Sequence, residues 1–354
     1  MDSAVALFLR RLKLSGEIEV LSILGMGTCH PTTSIDNHFL EALDVGTNAQ
    51  WIEEKIGILE RVTTLPVDYI KTTRNQDPRM AREVASATPT DLGVKAAEDA
   101  LKNSGIKATD IGMIIVNCCS PHQTVPGEAV RIAERLGINV EAFDVYTACP
   151  AFALHIDFLR NFDASKLPEF VLCVSTATMT HHVNYNDRSD GAIWGDGAAA
   201  WVVSSKHSGK LEILDSTYTA DPTRCAAVVV DSYRFFHQDG RAVRDFSVRQ
   251  TVRLVKAIEE SYPIDWSRDI FIGHQANRTM LEQITNNREI PPSNHWHNVT
   301  YLGNQAGAGA PASLSMNWNS LQAGQHIVVA VVGAGLSWGS IVMRVGQSLN
   351  RLYI

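Results

Sequence analysis

The amino-acid sequence predicts an α/β protein, and three observations lead to that prediction. Apolar, strand-like runs alternate with amphipathic, helix-like segments through most of the chain. Several predicted strands are apolar along their whole length, as in sheets that lie between layers of helices. The same order of elements also occurs twice, once in each half of the chain. We therefore expect sheet structure covered by helices and built from two related halves.

The first half begins with a predicted strand and continues through alternating helices and strands. Between them lies a segment rich in Arg, Asp, Asn and Thr, Tyr69 to Pro89, which we interpret as a long loop or short helical insertion that caps a site. The expected elements are a strand at 17–24, a helix at 91–101 ending near Ser104 and Gly105, a strand at 110–116 and a helix at 128–136.

The second half repeats this order with a helix at 248–261, a strand at 269–273 and a helix at 278–286. The next elements also correspond. In the first half a strand-like run at 143–148 leads to Cys149, and in the second half another at 297–303 leads to Asn304. Apolar strands at 170–174 and 326–332 follow. This repetition predicts one half at residues 1–205 and a second half at residues 206–354.

Composition limits the class of protein. With 354 residues, 45% hydrophobic and 19% charged, the chain can form one large two-part core or two closely packed domains. A net charge of -7 argues against nucleic acid as the main partner. Apolar runs are too short to span a membrane, and residues 1–16 lack the apolar core of a signal peptide. We expect a cytoplasmic protein with no membrane contact.

Neither a disulfide framework nor a metal site is predicted. No two of the six cysteines have CxxC spacing, so all but one are interpreted as small buried apolar residues. The paired histidines, His181 with His182 and His295 with His297, have no third ligand at metal-like spacing. Gly333 to Gly339 imitates a dinucleotide-binding loop, but a strand rather than a helix is expected after it, so that interpretation fails.

Cys149, His274 and Asn304 are the candidate catalytic residues. Each follows a strand-like run, and a pseudo-twofold relation between the halves would bring equivalent strand ends together at the centre of the molecule. A thiolate attacks acyl carbon, while an imidazole and a neutral amide can stabilise the thiolate and the oxyanion that follows. These three residues therefore predict acyl-transfer chemistry.

At these residues the chain resembles the thiolase-superfamily condensing enzymes, and most of all β-ketoacyl-acyl-carrier-protein synthase III. The resemblance runs from about residue 19 to 346, with 125 residues from Cys149 to His274 and 30 from His274 to Asn304. The motifs that carry it are Trp51 to Arg61, the Ala148-Cys149 turn, Asp187-Arg188, Gly195 to Ala199, His274 to Asn277, Gly303-Asn304 and Gly333 to Gly339.

The resemblance implies a five-layered αβαβα thiolase-like fold and a homodimer in which each subunit helps to wall its partner's acyl tunnel. It implies acyl transfer from coenzyme A or acyl carrier protein onto Cys149, followed by decarboxylative condensation with a malonyl-type or β-ketoacyl thioester. Such a reaction serves fatty acid, polyketide or other secondary-metabolite biosynthesis. The thioesters are substrates, and no permanently bound cofactor is implied.

Residue roles follow from the same resemblance. The thiolate of Cys149 would be favoured by a helix dipole and by His274. His274 and Asn304 would stabilise the enolate formed on decarboxylation, and backbone N–H groups of Cys149 and of Gly333 to Gly335 would hold the oxyanion of the acylation step.

Four further residues would contact coenzyme A. Trp51 would stack on adenine, Arg188 and Lys55 would contact the nucleotide and phosphates, and Asn277 would lie near the pantetheine. Lys55 stands where the family often has arginine, which would weaken a stacked or bidentate contact.

Two departures concern the acyl tunnel. Pro150 follows the nucleophile directly, which a first helical turn accepts, although it alters the tunnel wall. Val125 takes the position of a gate, contributed across the dimer, that commonly carries phenylalanine, so we expect an acyl group larger or more branched than acetyl. The insertion at 69–89 and the run Gly303 to Gly309 resemble secondary-metabolism relatives.

A basic cluster on the predicted helix at 248–261 and just before it has two interpretations, a solvated helix face or a docking surface for an acidic carrier protein. Its members are Arg241, Arg244, Arg249, Arg253 and Lys256.

Two other functions compete with condensation. The same acyl-Cys149 could pass its acyl group to a hydroxyl or amine, or the chain could be a silent subunit of a heterodimeric condensing enzyme. Retention of Asn304 favours carbon–carbon bond formation, and retention of all three candidate residues argues against the silent subunit.

Overall fold

The computed structural model describes residues 20–188, 190–231 and 234–346. It confirms the α/β prediction, with helices packed on both faces of a large sheet. The interpretation of residues 1–16 as lacking a signal peptide lies outside the described residues. Within the described ranges, no helix has the length and apolar character needed to cross a membrane.

The strands are β1 (Ser22–Cys29), β2 (Thr33–Asp36), β3 (Glu60–Thr63), β4 (Ile111–Cys118), β5 (Glu141–Asp144), β6 (Phe170–Thr178), β7 (Asp196–Ser204), β8 (Leu211–Ala220), β9 (Val228–Val230), β10 (Phe236–Gln238), β11 (Ile270–Gly273), β12 (His326–Gly333) and β13 (Ser337–Val345).

The helices are α1 (Asn37–Ala42), α2 (Ala49–Ile56), α3 (Val67–Thr73), α4 (Pro78–Val84), α5 (Pro89–Ser104), α6 (Glu128–Leu136), α7 (Ala151–Arg160), α8 (Gly240–Ser261), α9 (Arg278–Asn287), α10 (Val299–Leu302) and α11 (Gly309–Met316).

The large sheet has the order β11-β12-β13-β8-β1-β7-β6-β4-β5, and its two parts have the same pattern. In the first part β1, β7 and β6 run antiparallel in turn, while β6, β4 and β5 are parallel. In the second part β8, β13 and β12 run antiparallel in turn, and β11 is parallel to β12. A short antiparallel pairing of β1 with β8 joins the parts. This order supports our proposed division at residues 205 and 206.

Helices form layers outside and between the two parts of the sheet. Helix α5 packs on β1, β6 and β7, and α8 packs on β12, so these helices lie on the outer faces. Helix α7 of the first half contacts β8 and β13 of the second, whereas α11 of the second half contacts β1 and β7 of the first. The central core accordingly combines side chains of both halves, including Phe152, Trp201, Leu314 and Val329. The layer order is αβαβα.

Most sequence-predicted elements are present with shifted ends. The helix expected at 128–136 has those bounds, and the helix at 91–101 extends to Pro89–Ser104, with Gly105 in the left-handed conformation at its end. Helix α8 begins at Gly240 rather than 248 because the side chain of Asp239 accepts a hydrogen bond from the Ala242 N–H at 3.2 Å. The first strand begins at Ser22 and continues to Cys29, beyond the expected end at 24.

The prediction of a strand before Asn304 is wrong, because Val299–Leu302 forms a short helix. The Oε1 atom of Gln275 accepts the backbone N–H of Asn298 at 3.0 Å, and the Asn298 Nδ2 atom donates to the Gly309 carbonyl at 3.0 Å. These side chains take the place of strand partners. Just before the segment, His295 forms an isolated bridge to Phe271 of β11.

Two other predictions concern connecting segments. The insertion at 69–89 is helical, with α3 and α4 as its two short helices. The glycine-rich run that begins at Gly333 connects β12 to the antiparallel strand β13, so a strand does follow it, as the rejection of a dinucleotide-binding loop required.

Candidate active site

Cys149 lies at the N-terminus of the central helix α7, directly before Pro150, which caps that helix. The preceding residue, Ala148, has a φ of 53°, a left-handed conformation that costs a non-glycine residue on the order of 1 kcal/mol. The chain thus turns sharply between β5 and α7. This turn presents the partly buried thiol at the centre of the molecule.

The end of β12 packs directly against Cys149. A Cβ atom added at Gly333 would lie 2.8 Å from the Cβ of Cys149 and 2.6 Å from the Cδ of Pro150. Only glycine allows this approach without displacing the nucleophile. The structure therefore brings Gly333 and Pro150 to the Cys149 side chain.

The loop that carries Asn304 joins the other two segments. A Cβ atom added at Gly307 would lie 2.6 Å from the carbonyl oxygen of Ala148, and one at Gly309 would lie 2.8 Å from the Cβ of Gln275. The first contact places this loop beside Cys149, and the second places it beside His274. The segments of the three candidate residues thus meet, although no hydrogen bond links their side chains in the described parts of the chain.

His274 follows β11 and is almost fully buried, with 6% of its surface exposed. Its Nδ1 atom has no hydrogen-bond partner in the structure. A buried polar atom without a partner costs about 1–3 kcal/mol, and a catalytic role is one of the explanations for keeping it. This atom is therefore an observation in favour of a functional role for His274.

The side chain of Asn304 has a defined orientation. Its Oδ1 atom accepts the backbone N–H of Ala306 at 2.9 Å, which leaves the Nδ2 group as a donor. Its backbone bonds to Ile193 and Gly195 at 2.9 and 3.0 Å. A Cβ atom at Gly195 would overlap the Leu302 carbonyl oxygen, which explains why this motif needs glycine next to the Asn304 loop.

Burial keeps the site uncharged. It raises the pKa of the Cys149 thiol, with a smaller contribution from nearby Cys119, and it lowers the pKa of His274 to about 4. Burial therefore opposes, in the resting site, the thiolate that the helix dipole and His274 are expected to favour. Loss of hydration outweighs a dipole interaction that is typically worth 0.3–1 kcal/mol, roughly, and the resting pair is a thiol and a neutral imidazole.

Buried neutral histidines also predict how stability depends on pH. Burial lowers the pKa of His30, His155 and His274 to about 4 and that of His295 to about 3. The unfolded chain, with histidine pKa values near ~6.5, binds more protons between about pH 4 and 6.5. Stability is therefore lost as pH falls through this range, by up to ~1.4 kcal/mol per pH unit for each histidine.

Urea unfolding at pH 7.5 and 5.0 checks this expectation. His155→Leu should reduce the difference between the two pH values, since His155 is fully buried against Trp201. His237→Gln, at an exposed position on β10, is the control and should leave the difference unchanged. Equal free energies of unfolding at both pH values in the unsubstituted protein would contradict the prediction.

Two of the four residues predicted to bind coenzyme A, Arg188 and Trp51, contact each other. The Arg188 guanidinium carbon lies 5.3 Å from the centroid of the Trp51 ring, and its Nη1 atom donates to the Gly46 carbonyl at 3.0 Å. The other two, Lys55 and Asn277, lie where α2 meets α9. The Lys55 carbonyl accepts from Thr279 at 2.9 Å, and the Asn277 side chain caps α9 by accepting the Met280 N–H at 2.8 Å.

The remaining predicted residues lie on the surface or at the edge of the site. Val125 is 81% exposed, and Gly335 continues the loop after β12 with a φ of 132°. All five members of the basic cluster are exposed on α8: Arg241, Arg244, Arg249, Arg253 and Lys256.

The paired histidines form no metal-like set. The Nε2 atom of His181 lies 2.7 Å from the Thr64 hydroxyl, and Nδ1 of His182 lies 3.1 Å from the Arg234 carbonyl. The rings of His295 and His297 are 5.0 Å apart. In the parts of the chain that the structure describes, no cluster of three His, Cys, Asp or Glu could hold a metal.

The sequence analysis assigned no role to two buried polar residues beside the site. Arg61 is fully buried and donates to the Ala192 carbonyl at 2.6 Å, and its Cβ lies against Gly303. Asn117, at the end of β4, contacts the turn before Cys149. A polar residue within the apolar run Ile111–Cys118 was the available signal for Asn117.

The fold is that of the condensing enzymes of the thiolase superfamily. Residues 143–222 match the family model for 3-oxoacyl-[acyl-carrier-protein] synthase III, and residues 267–345 match the model for its C-terminal part. The chain is a synthase III-like acyltransferase of that superfamily.

Curated relatives resemble nearly the whole chain. The β-ketoacyl-[acyl-carrier-protein] synthase III of Syntrophomonas wolfei is 29% identical over 92% of this chain and 98% of its own length. The enzyme of the same name from Oleidesulfovibrio alaskensis is 28% identical over 91% and 98%.

Solved structures confirm the thiolase-like fold. The 3-oxoacyl-[acyl-carrier-protein] synthase III of Aquifex aeolicus has a TM-score of 0.80 and 25% identity, with 92% of this chain and 99% of that chain covered. The priming β-ketosynthase of the R1128 polyketide pathway has a TM-score of 0.79 over 94% and 98%, and at 22% identity it shows the fold alone.

Proposed function

We propose that the protein loads an acyl group from a coenzyme A or acyl-carrier-protein thioester onto Cys149 and condenses it with a malonyl-type or β-ketoacyl thioester. The reaction belongs to fatty acid or polyketide biosynthesis. One observation carries the assignment of catalytic residues: the segments of Cys149, His274 and Asn304 meet in the buried centre of the molecule.

In the first step the Cys149 sulfur attacks the thioester carbonyl. Because the resting thiol and imidazole are both neutral, the thiol proton passes to His274 as the sulfur–carbon bond forms, and the departing thiolate takes it up. Backbone N–H groups of Cys149 and of the Gly333 to Gly335 segment are the proposed donors to the oxyanion. The products are the acyl enzyme and a free thiol.

In the second step a malonyl-type thioester loses carbon dioxide. The electron pair of the broken carbon–carbon bond forms an enolate, whose oxygen accepts hydrogen bonds from the Nδ2 group of Asn304 and from the imidazole N–H of His274. The enolate carbon attacks the acyl carbonyl and expels the Cys149 thiolate, which regains a proton. Asn304 supports this assignment because its Oδ1 atom is already occupied by the Ala306 N–H.

The first test is the mass of the intact protein after incubation with coenzyme A thioesters from acetyl to long-chain, followed by a malonyl thioester. Condensation is supported if the coenzyme A thioester adds mass to the protein and the malonyl thioester then removes it, with release of carbon dioxide and a β-keto product. Acyl loading followed by ester or amide formation, without carbon dioxide release, would favour the alternative acyltransferase. No loading from either coenzyme A or carrier-protein thioesters would contradict both.

The smaller side chain of Val125 at the proposed gate leads us to expect an acyl group larger or more branched than acetyl. Trp51, Lys55, Arg188 and Asn277 are the proposed contacts of coenzyme A. The contact between Arg188 and the Trp51 ring supports the assignment of these two residues, since both groups already share one surface.

A homodimer is part of the proposal. Strand β5 lies at the free edge of the sheet, and Val125, Val130 and Tyr146 are 81%, 46% and 56% exposed beside it. An unpaired edge with exposed apolar side chains is suited to pairing with a second copy. Enzymes that use these thioesters work where the thioesters are made, so we place the protein in the cytoplasm.

Carrier-protein docking at α8 predicts a charge effect. The double variant Arg249→Glu and Arg253→Glu should lower kcat/KM about tenfold for carrier-protein thioesters, because reversed charges repel an acidic partner. The same double variant should leave kcat/KM for coenzyme A thioesters unchanged. Lys102→Glu, at an exposed position on α5, is the matched control. Equal losses with both kinds of donor would contradict a docking role.

A further inference from the structure

The turn that presents Cys149 is held by a buried amide. Asn117 is fully buried at the end of β4. Its Oδ1 atom accepts the backbone N–H of Thr147 at 3.1 Å, and its Nδ2 group donates to the Ala148 carbonyl at 3.3 Å. One side chain thus satisfies backbone groups on both sides of the peptide bond that leads into the left-handed residue Ala148.

The same amide also contacts the loop that carries Asn304. Its Nδ2 group donates to the hydroxyl of Ser175 on β6 at 3.2 Å, and the loop packs against both groups. A Cβ atom added at Gly307 would lie 2.7 Å from that hydroxyl and 2.9 Å from the Asn117 Nδ2 atom. The amide therefore lies between the nucleophile turn and the Asn304 loop, where its size and hydrogen bonds determine how closely the two approach.

We propose that Asn117 is a positioning residue that sets the placement of the Cys149 sulfur relative to the oxyanion donors and Asn304. In this proposal Asn117 acts through the turn before Cys149 and contacts neither the sulfur nor the substrate. A left-handed alanine persists only when surrounding contacts hold it there, and Asn117 supplies two of those contacts. The consequence for catalysis is large, because a displacement of about 1 Å can cost roughly 10²-fold in rate.

The inference rests on the proposed function, so its test combines a functional and a non-functional measurement. The variants are Asn117→Ala, which removes the amide, and Asn117→Leu, which keeps the branched shape of the side chain but forms no hydrogen bonds. Asn294→Ala is the matched control, since Asn294 is also buried and donates to the Asp269 carbonyl at 3.2 Å. Asp269 precedes β11, whereas His274 follows it, so the control lies at the opposite strand end.

The functional measurement is single-turnover acylation by the thioester that loads the unsubstituted protein best. Both Asn117 variants should lower the rate constant about 10²-fold at saturation, with the half-saturating concentration changed less than about twofold. Asn294→Ala should keep the rate constant even if it unfolds at a lower temperature. Rates within about twofold of the unsubstituted protein for both Asn117 variants would overturn the proposal.

The second measurement is alkylation by iodoacetamide, followed by peptide mass at individual cysteines. A loosened turn exposes the Cys149 thiol, so both Asn117 variants should alkylate Cys149 several-fold faster relative to the exposed Cys225. The fully buried Cys173 should stay unreacted. Reaction of Cys173 at a similar rate would mean general opening and would overturn a specific positioning role.

The two measurements separate the two hypotheses. If no thioester acylates the unsubstituted protein, the proposed function fails, but faster alkylation of Cys149 with unreacted Cys173 still supports the positioning role. If acylation of the unsubstituted protein proceeds and alkylation of Cys149 is the same in all variants, the positioning role fails and the proposed function stands.

Discussion

Cys149→Ala should abolish acyl loading, with at least about a 10⁴-fold loss in the rate of mass gain from any thioester that loads the unsubstituted protein. The reason is chemical, since alanine offers no nucleophile at the N-terminus of α7, where the acyl carbon must bond. The measurement is intact-protein mass over time, followed by location of the acyl group on a peptide.

The matched control for this variant is Cys225→Ala, which removes an exposed thiol. It should load as the unsubstituted protein does. Thermal unfolding of Cys149→Ala should change little, because a partly buried sulfur is replaced by a small apolar group. Ordinary loading of Cys149→Ala would show that another residue is the nucleophile.

Asn304→Asp should separate the two half-reactions. Aspartate keeps an oxygen to accept the Ala306 N–H, so the loop keeps its 2.9 Å hydrogen bond, but it has no Nδ2 group to donate to the enolate. Condensation should slow by about 10²- to 10³-fold, the typical effect of removing one oxyanion donor. Acyl loading should stay within about threefold, because the oxyanion donors proposed for that step lie elsewhere.

The comparison variant for this prediction is Asn286→Ala, which removes an exposed asparagine on α9 and should affect neither step. Loading is measured by intact mass, and condensation by carbon dioxide release from a malonyl thioester given to preloaded enzyme. Unimpaired condensation in Asn304→Asp would move the assignment toward acyl transfer to a hydroxyl or amine.

The electrostatic state of the site sets the pH dependence of loading. Because burial raises the pKa of Cys149 and lowers that of His274, the neutral pair persists over a wide range around neutral pH. In the proposed loading step the thiol proton therefore transfers during the attack, without a standing pool of thiolate. The helix dipole at α7 can still stabilise negative charge on sulfur while it develops.

Local pattern predicted much of the fold. The amphipathic spacing at 128–136 matched the helix there, and the apolar strands at 170–174 and 326–332 matched β6 and β12. The end of helix α5 was also readable, because Gly105 is suited to the left-handed position that ends a helix. These features depend on residues only a few positions apart.

The error before Asn304 shows where local pattern fails. Val299–Leu302 has the apolar, β-branched character of a strand, but the Gln275 side chain binds the backbone of Asn298 and the segment becomes helical. That contact joins residues more than twenty positions apart. Propensity is a weak preference, and a single buried hydrogen bond of this kind outweighs it.

By itself the sequence determined the α/β class, the repeated order of elements and three chemically suited residues, Cys149, His274 and Asn304, because periodicity and residue type are local properties. Only the tertiary structure decided that the resting thiol is neutral and that Asn117 holds its turn. Both depend on burial and on contacts between β4, β6 and the Asn304 loop, which lie far apart along the chain. Desolvation and long-range packing arise only when the folded chain excludes water from the site.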